Sequence, residues 1–70
     1  MARTVYVVRY ALGYVEVYGS AKRAAEALHD HAEVYPDQSV AETAKRLREG
    51  FSTRGYDNEG ECEVSAQTVY

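Results

Sequence analysis

The first third of the chain alternates between tyrosine and valine. From Thr4 to Gly19 the sequence reads TVYVVRYALGYVEVYG, with a short break in the middle. Alternation with a period of two is typical of β-strands, because successive side chains point to opposite faces of the sheet. Ala11, Leu12 and Gly13 fit a three-residue hairpin loop whose last position favours glycine. The segment is therefore predicted to be a β-hairpin.

The predicted hairpin separates tyrosines from valines. One face carries the cross-strand pairs Tyr10 with Tyr14, Val8 with Glu16, and Tyr6 with Tyr18. The opposite face carries Arg9 with Val15, Val7 with Val17, and Val5 with Gly19. A slip of one residue would mix the two sets, so the separation itself supports this register.

Two helices are predicted in the middle of the chain. Residues 20–34 begin with the N-cap residue Ser20 and then repeat apolar positions at spacings of three and four. Those positions are Ala21, Ala24, Ala25, Leu28 and Ala32. Residues 39–50 begin with a capping box formed by Ser39 and Glu42. Their apolar stripe consists of Val40, Ala44, Leu47 and Phe51.

The last third is predicted to contain a loop and one strand. Residues 52–60 have two glycines and no apolar period, which indicates a loop. Residues 61–69 alternate again, with small or apolar residues on one side and polar residues on the other. The apolar side consists of Cys62, Val64, Ala66 and Thr68.

These elements predict an α+β fold in the order ββααβ, forming a single domain over residues 1–70. The first strand is apolar on both faces, which favours a central position in a three-stranded antiparallel sheet of order 2-1-3. Both helices are expected on one face of that sheet. The valine face, the small face of the third strand and the helix stripes are expected to form the core. The tyrosine face is then left without a covering layer.

The apolar residues available for a core are few. The 70 residues include nine valines and three leucines, but no isoleucine or tryptophan. Such a small core rarely contributes more than ~3–5 kcal/mol, so either the tyrosines join it or the protein associates. Cys62 is the only cysteine, which excludes a disulfide within the chain and suits a reducing compartment. No membrane span or signal peptide is visible, and a cytoplasmic protein is expected.

The acidic charge narrows the class of partner. The net charge is −3, and residues 57–70 hold four acidic residues and no basic one. Phosphate-backbone binding depends on lysine and arginine, so nucleic acid is an unlikely partner. The alternative is a helical basic patch, which would consist of Lys22, Arg23, Lys45, Arg46 and Arg48. The acidic segment 57–63 suits a basic protein surface, although a solvated loop and strand face is the simpler interpretation.

The tyrosine face is the candidate binding site. An uncovered aromatic patch usually marks an interface, and tyrosine is enriched at recognition surfaces. The predicted partner-binding residues are Tyr6, Tyr10, Tyr14, Tyr18, Glu16, Glu61 and Glu63. Two alternatives remain open. The tyrosines can face the core while the valines face outward, or a homodimer can bury the tyrosines.

Metal binding and catalysis have little support in the sequence. His29 and His31 are two residues apart on a helix and point to different sides, and Cys62 is the only other soft ligand. No motif flanks Cys62 as a nucleophile. We therefore expect no catalytic residue, no metal site and no cofactor.

The small size, single domain and acidic charge resemble those of small accessory proteins of phages and mobile elements, including anti-CRISPR inhibitors. This resemblance rests on size and charge and involves no motif. It implies a non-catalytic inhibitor that blocks a basic, nucleic-acid-handling surface of its target. A structural homodimer and a small nucleic-acid-binding regulator are the alternative functions.

Overall fold

A computed structural model describes residues 2–35 and 37–69 of the chain. The elements are β1 Arg3–Arg9, β2 Val15–Tyr18, α1 Ala21–His31, β3 Glu33–Tyr35, α2 Val40–Arg48, β4 Thr53–Asp57 and β5 Gly60–Val69. The strands form one sheet of order β2-β1-β5-β4-β3, in which every neighbouring pair is antiparallel. The fold is therefore α+β, as the sequence predicts, with five strands where three were expected.

The hairpin has the predicted register. Tyr6 lies opposite Tyr18, and Val7 lies opposite Val17. The amide of Tyr10 donates to the carbonyl of Tyr14 at 2.8 Å, which closes the three-residue loop. Gly13 has a φ of 96°, in the left-handed region that this loop requires at its last position.

Both predicted helix starts are confirmed. Ser20 caps α1 by accepting from the amide of Arg23, and Ser39 caps α2 by accepting from the amide of Glu42 at 3.1 Å. Helix α1 ends at His31, whereas the sequence predicted an end at residue 34. Ala32 adopts an extended conformation, and the chain continues directly into β3.

The two unexpected strands lie at one edge of the sheet. β3 has three residues, which is too short for a periodic signal, and β4 falls within the segment predicted to be a loop. The buried positions of β4 are Thr53 and Gly55, neither of which is a large apolar residue. The sequence of β4 therefore shows no alternation of apolar and polar residues, and the strand forms because it pairs with β5. The predicted strand 61–69 is contained in β5 and does lie antiparallel beside β1.

The helices cover the opposite sheet face from the one expected. Tyr6, Tyr10 and Tyr18 pack against the core cluster, whereas Val15 and Val17 are 54% and 62% exposed. The expected valine-sided core is thus wrong. Volume matching explains the outcome, because α1 presents mainly alanines and the larger tyrosine rings fill the space beneath it.

The core itself is a single small cluster. Leu28 of α1 and Leu47 of α2 meet Val8 of β1 and Val64 of β5, and all four are essentially inaccessible to solvent. The predicted stripe of α2 is correct for Ala44 and Leu47, which are buried. It is wrong for Phe51, which is 53% exposed and lies beneath the guanidinium of Arg46, 5.0 Å from the ring centroid.

A polar contact also joins the two helices. The hydroxyl of Thr43 donates to the carbonyl of Ser39, which commits its only hydrogen. His29 Nε2, 2.8 Å from the same hydroxyl oxygen, must therefore be the donor to Thr43. Burial lowers the pKa of His29, so the neutral imidazole is favoured in this position.

Candidate functional site

A cleft of about 460 Å³ opens at the tip of the hairpin. Three parts of the fold form it: the β1–β2 loop with the start of β2, the C-terminus of α1, and the β4–β5 turn. Its lining residues are Tyr10, Ala11, Leu12, Tyr14, Val15, Glu16, His31, Asp57 and Glu59. We call this the hairpin cleft. Its size is within the range of ~300–1,000 Å³ that is usual for binding pockets.

Glu16 is held in the hairpin cleft by two tyrosines. Its Oε1 atom accepts hydrogen bonds from the hydroxyl of Tyr10 at 2.5 Å and from the hydroxyl of Tyr18 at 2.9 Å. These bonds favour the ionised carboxylate and lower the pKa of Glu16. Burial and the bond to Glu16 raise the pKa of the Tyr10 hydroxyl, which therefore remains a donor at neutral pH.

The ring of Tyr10 connects Glu16 to the opposite wall. It meets the ring of His31 edge-on, with centroids 4.5 Å apart and an interplanar angle of 66°. His31 Nε2 lies 3.4 Å from Asp57 Oδ2. The His31 side chain is 55% exposed, so this contact is at the mouth of the cleft and contributes little to stability.

Asp57 is fixed by the turn that it begins. Its Oδ1 accepts from the amides of Glu59 at 2.7 Å and Gly60 at 3.0 Å. The amide of Glu59 is the main cause that lowers the pKa of Asp57, and the thiol of Cys62 adds a further hydrogen bond at Oδ2. The sequence therefore builds this wall locally, through an aspartate that closes its own turn.

The hairpin cleft is suited to a cation. Glu16, Asp57 and Glu59 contribute three carboxylates, and the described lining contains no lysine or arginine. Among residues 2–35 and 37–69, neither Glu16 nor Glu59 forms an ion pair with a basic side chain. Aromatic faces attract ammonium and guanidinium groups, and Tyr10 and Tyr14 are both present. Leu12, which is 67% exposed, adds an apolar surface for the stem of a long side chain.

The structure separates the predicted binding residues. Tyr10, Tyr14 and Glu16 come together in the hairpin cleft. Tyr18 lies behind them as a donor to Glu16. Tyr6 packs beside the core, away from the cleft. The four tyrosines therefore do not form one open sheet surface, which corrects the expected geometry of the tyrosine face, because Tyr6, Tyr10 and Tyr18 pack against the core.

Glu61 and Glu63 lie on the opposite face of the sheet. Glu61 accepts a hydrogen bond from the hydroxyl of Tyr56 at 3.3 Å, and Glu63 lies 3.7 Å from Arg54. Cys62 between them is buried on the helix side. Both glutamates thus share the exposed sheet face with the valines and do not border the four tyrosines of the hairpin.

The basic residues of the two helices are only partly gathered. Lys22 and Arg48 line a shallow groove between α1 and α2, together with the acidic Glu26. The guanidinium of Arg46 is placed over Phe51. The helical basic patch therefore has mixed charge at its centre.

The residues suggested for metal binding or nucleophilic chemistry have other contacts. His29 bonds Thr43 between the helices, whereas His31 lies at the hairpin cleft. Burial raises the pKa of the Cys62 thiol, which disfavours the reactive thiolate. In the described part of the chain, no three His, Cys, Asp or Glu side chains are grouped to hold a metal ion.

Sequence reasoning missed the contributions of Leu12, His31 and Glu59 to the site. His31 is distant in sequence from the hairpin, and the packing of α1 on β1 and β2 brings the two together. The acidic segment 57–63 did signal this region, although its carboxylates divide between the cleft and the sheet face.

None of the helices in residues 2–35 and 37–69 is long and apolar enough to cross a membrane. No protein-family model matches the chain, and comparisons with curated proteins and with solved structures found no match.

Proposed function

We propose that this chain is a non-catalytic protein-binding module whose hairpin cleft receives a basic side chain from a partner protein. The observation that carries the proposal is Glu16: an ionised carboxylate, held by two tyrosine hydroxyls and without a lysine or arginine partner among the described residues. A carboxylate fixed before the partner arrives loses little side-chain freedom on binding.

The surrounding residues determine what the carboxylate can accept. Tyr10 and Tyr14 offer ring faces, Leu12 offers an apolar surface, and Asp57 and Glu59 keep the local potential negative. Arginine satisfies all three features, because its guanidinium pairs with carboxylates, stacks on aromatic rings and has an aliphatic stem. The preferred partner segment is therefore one with an exposed arginine.

The wider function follows from the partner's charge. Surfaces that bind nucleic acid are rich in lysine and arginine, so a module that covers such a surface competes with the nucleic acid. The small size and acidic charge suit this inhibitory function, of the kind found in phage and mobile-element inhibitors.

The proposal is tested by titrating isotope-labelled protein with a capped glycine–serine peptide that contains two arginines. The matched peptide has glutamine at both positions. Changes in backbone amide chemical shifts are expected at the residues of the hairpin cleft with the arginine peptide and not with the glutamine peptide. Glu16→Gln should weaken binding by roughly tenfold, about 1.4 kcal/mol, because glutamine keeps the acceptor for the two tyrosines but removes the charge.

The control is Glu61→Gln, which removes the same charge from the opposite sheet face. This variant should bind the arginine peptide nearly as well as the wild type. Equal losses in Glu16→Gln and Glu61→Gln would show non-specific attraction and would contradict a site in the hairpin cleft.

The inhibitory function has its own test. A protein captured with this chain from cognate lysate should lose its nucleic acid in a gel-shift assay when the chain is added, and Glu16→Gln should be the weaker competitor. A captured protein that keeps its nucleic acid at saturating amounts of the chain contradicts the inhibitory function but not the cleft.

A further inference from the structure

The two edges of the sheet differ in their protection against pairing. At one edge, β3 has three residues and carries the charged Glu33. Short length and charge are among the features by which natural sheets prevent edge pairing. At the other edge, β2 has four residues, and its one charged side chain, Glu16, is bonded to Tyr10 and Tyr18 on the helix side, so that the open sheet face of β2 carries only Val15 and Val17. One edge is therefore protected and the other is open.

The unpaired backbone groups of β2 belong to Val15 and Val17. The amide of Tyr10 bonds the carbonyl of Tyr14, and hydrogen-bonded pairs alternate along an antiparallel ladder. The pairs Val8–Glu16 and Tyr6–Tyr18 are thus the next bonded pairs. The N–H and C=O groups of Val15 and Val17 point away from β1, toward the free edge.

The side chains of the same two valines are also uncovered. Val15 and Val17 are more than half exposed on the sheet face opposite the helices, where Val17 lies beside Val7. Open backbone groups and exposed apolar side chains therefore coincide on one strand. The hydrophobic core adds little stability to compensate for these uncovered groups, because its largest fully buried side chains include only two leucines.

We propose that a second copy of this chain pairs with β2, antiparallel and about a two-fold axis at Val17. An edge strand is complementary to itself under such an axis, since each outward donor meets an outward acceptor. The product is a continuous ten-stranded sheet. The valines of both copies form one apolar stripe across the junction.

Electrostatic repulsion favours this register over the one in which the two-fold axis is shifted by one residue. An axis at Glu16 would place the two copies of Glu16 directly opposite each other, and facing like charges are destabilising. An axis at Val17 places Glu16 opposite Tyr18 of the second copy and Val15 opposite Gly19. Gly19 has open space around its Cβ position, so the strand can approach there.

Sedimentation or light scattering across a wide concentration range tests the oligomeric state. The wild type should reach twice the chain mass of 7.8 kDa. Val17→Lys places two like charges at the two-fold axis and should give a monomer with an unchanged circular dichroism spectrum. Val69→Lys adds the same charge on the same sheet face, at a valine that is 47% exposed and pairs with Arg3 of β1, away from β2, and should remain dimeric.

A wild type that remains monomeric at the highest concentration overturns the proposal, and so does a dimeric Val17→Lys. Loss of the dimer in Val69→Lys indicates packing of sheet faces and also overturns edge pairing. Isotope-filtered contacts between labelled and unlabelled wild-type copies give a second measurement, independent of how any variant folds. Contacts between residues 15–19 of the two copies support the proposal, and contacts only at β5 contradict it.

Discussion

Single side chains in this protein serve as links between distant segments. Tyr10 contributes its ring to the core side of the sheet and to a T-shaped contact with His31, and its hydroxyl to Glu16. Tyrosine can do this because it combines a large apolar body with a polar tip. The sequence identified these tyrosines as unusual, but it did not show that one residue would satisfy both the core and the site.

The pH dependence of stability is a residue-scale prediction about His29. Its pKa is lowered in the folded state, so the unfolded chain binds more protons, and stability should fall as the pH drops below the unfolded value of ~6.5. The loss continues until the pH has passed the folded pKa. His29→Gln, which keeps a donor for Thr43 but does not titrate, should flatten this dependence.

Thermal unfolding at a series of pH values measures the effect of His29. The control is His31→Gln, which removes the exposed histidine and leaves the half-buried His29 in place. An unchanged slope in His29→Gln would show that another group is responsible.

At the scale of elements, the short strands β3 and β4 complete the sheet, and β4 helps to position the cleft. β4 pairs with β5 and so places Asp57 at the β4–β5 turn near the hairpin tip, whereas the packing of α1 on β1 and β5 places His31 there. The junction of β3 and β4 depends on a close approach of two backbones. A Cβ atom at Gly55 would lie 2.9 Å from the carbonyl oxygen of Glu33 and 3.1 Å from Cβ of Ala32.

Gly55→Ala should therefore destabilise the protein by about 1–3 kcal/mol, because the contacting backbone must shift. Urea unfolding measures the loss, at a protein concentration low enough to keep the chain monomeric so that association does not contribute. Gly19→Ala is the matched control, since its Cβ position has nothing within 4 Å, and its stability should change by less than about 0.5 kcal/mol. Equal losses in both variants would contradict a specific contact at Gly55.

The elements with strong local signals were predictable from sequence, and β3 and β4 were not. Ser20, Ser39 and Gly13 mark boundaries through bonds or dihedrals that involve only their neighbours. β4 presents Thr53 and Gly55 toward the core and shows no alternation. A strand of this kind exists because β5 lies beside it, and a single-sequence pattern cannot contain that information.

For the whole molecule, stability depends on a small core in which few side chains can be lost. Leu28 and Leu47 are the largest fully buried residues, and α1 meets the sheet mainly through alanines. Three tyrosines add to this cluster from the sheet side. The sequence raised the possibility that the tyrosines join the core, and the structure shows this for Tyr6, Tyr10 and Tyr18.

Leu28→Ala should cost about 2–5 kcal/mol, the usual range for a buried leucine, and this is a large share of the stability of a small domain. Leu12→Ala removes the same atoms from a side chain that is 67% exposed and should change stability by less than about 0.5 kcal/mol. Chemical unfolding at fixed protein concentration measures both. Similar losses in the two variants would contradict the position of the core.

The sequence by itself determined the hairpin with its register, the starts of both helices, the alternation of β5 and the α+β class. Each depends on neighbouring residues or on a repeat within one element. The tertiary structure alone decided which sheet face the helices cover, the existence of β3 and β4, and the assembly of the hairpin cleft. Valine is the more apolar residue, but the alanine-rich helix α1 packs above the larger tyrosines, and this match of side-chain volumes arises only when the helix packs on the sheet.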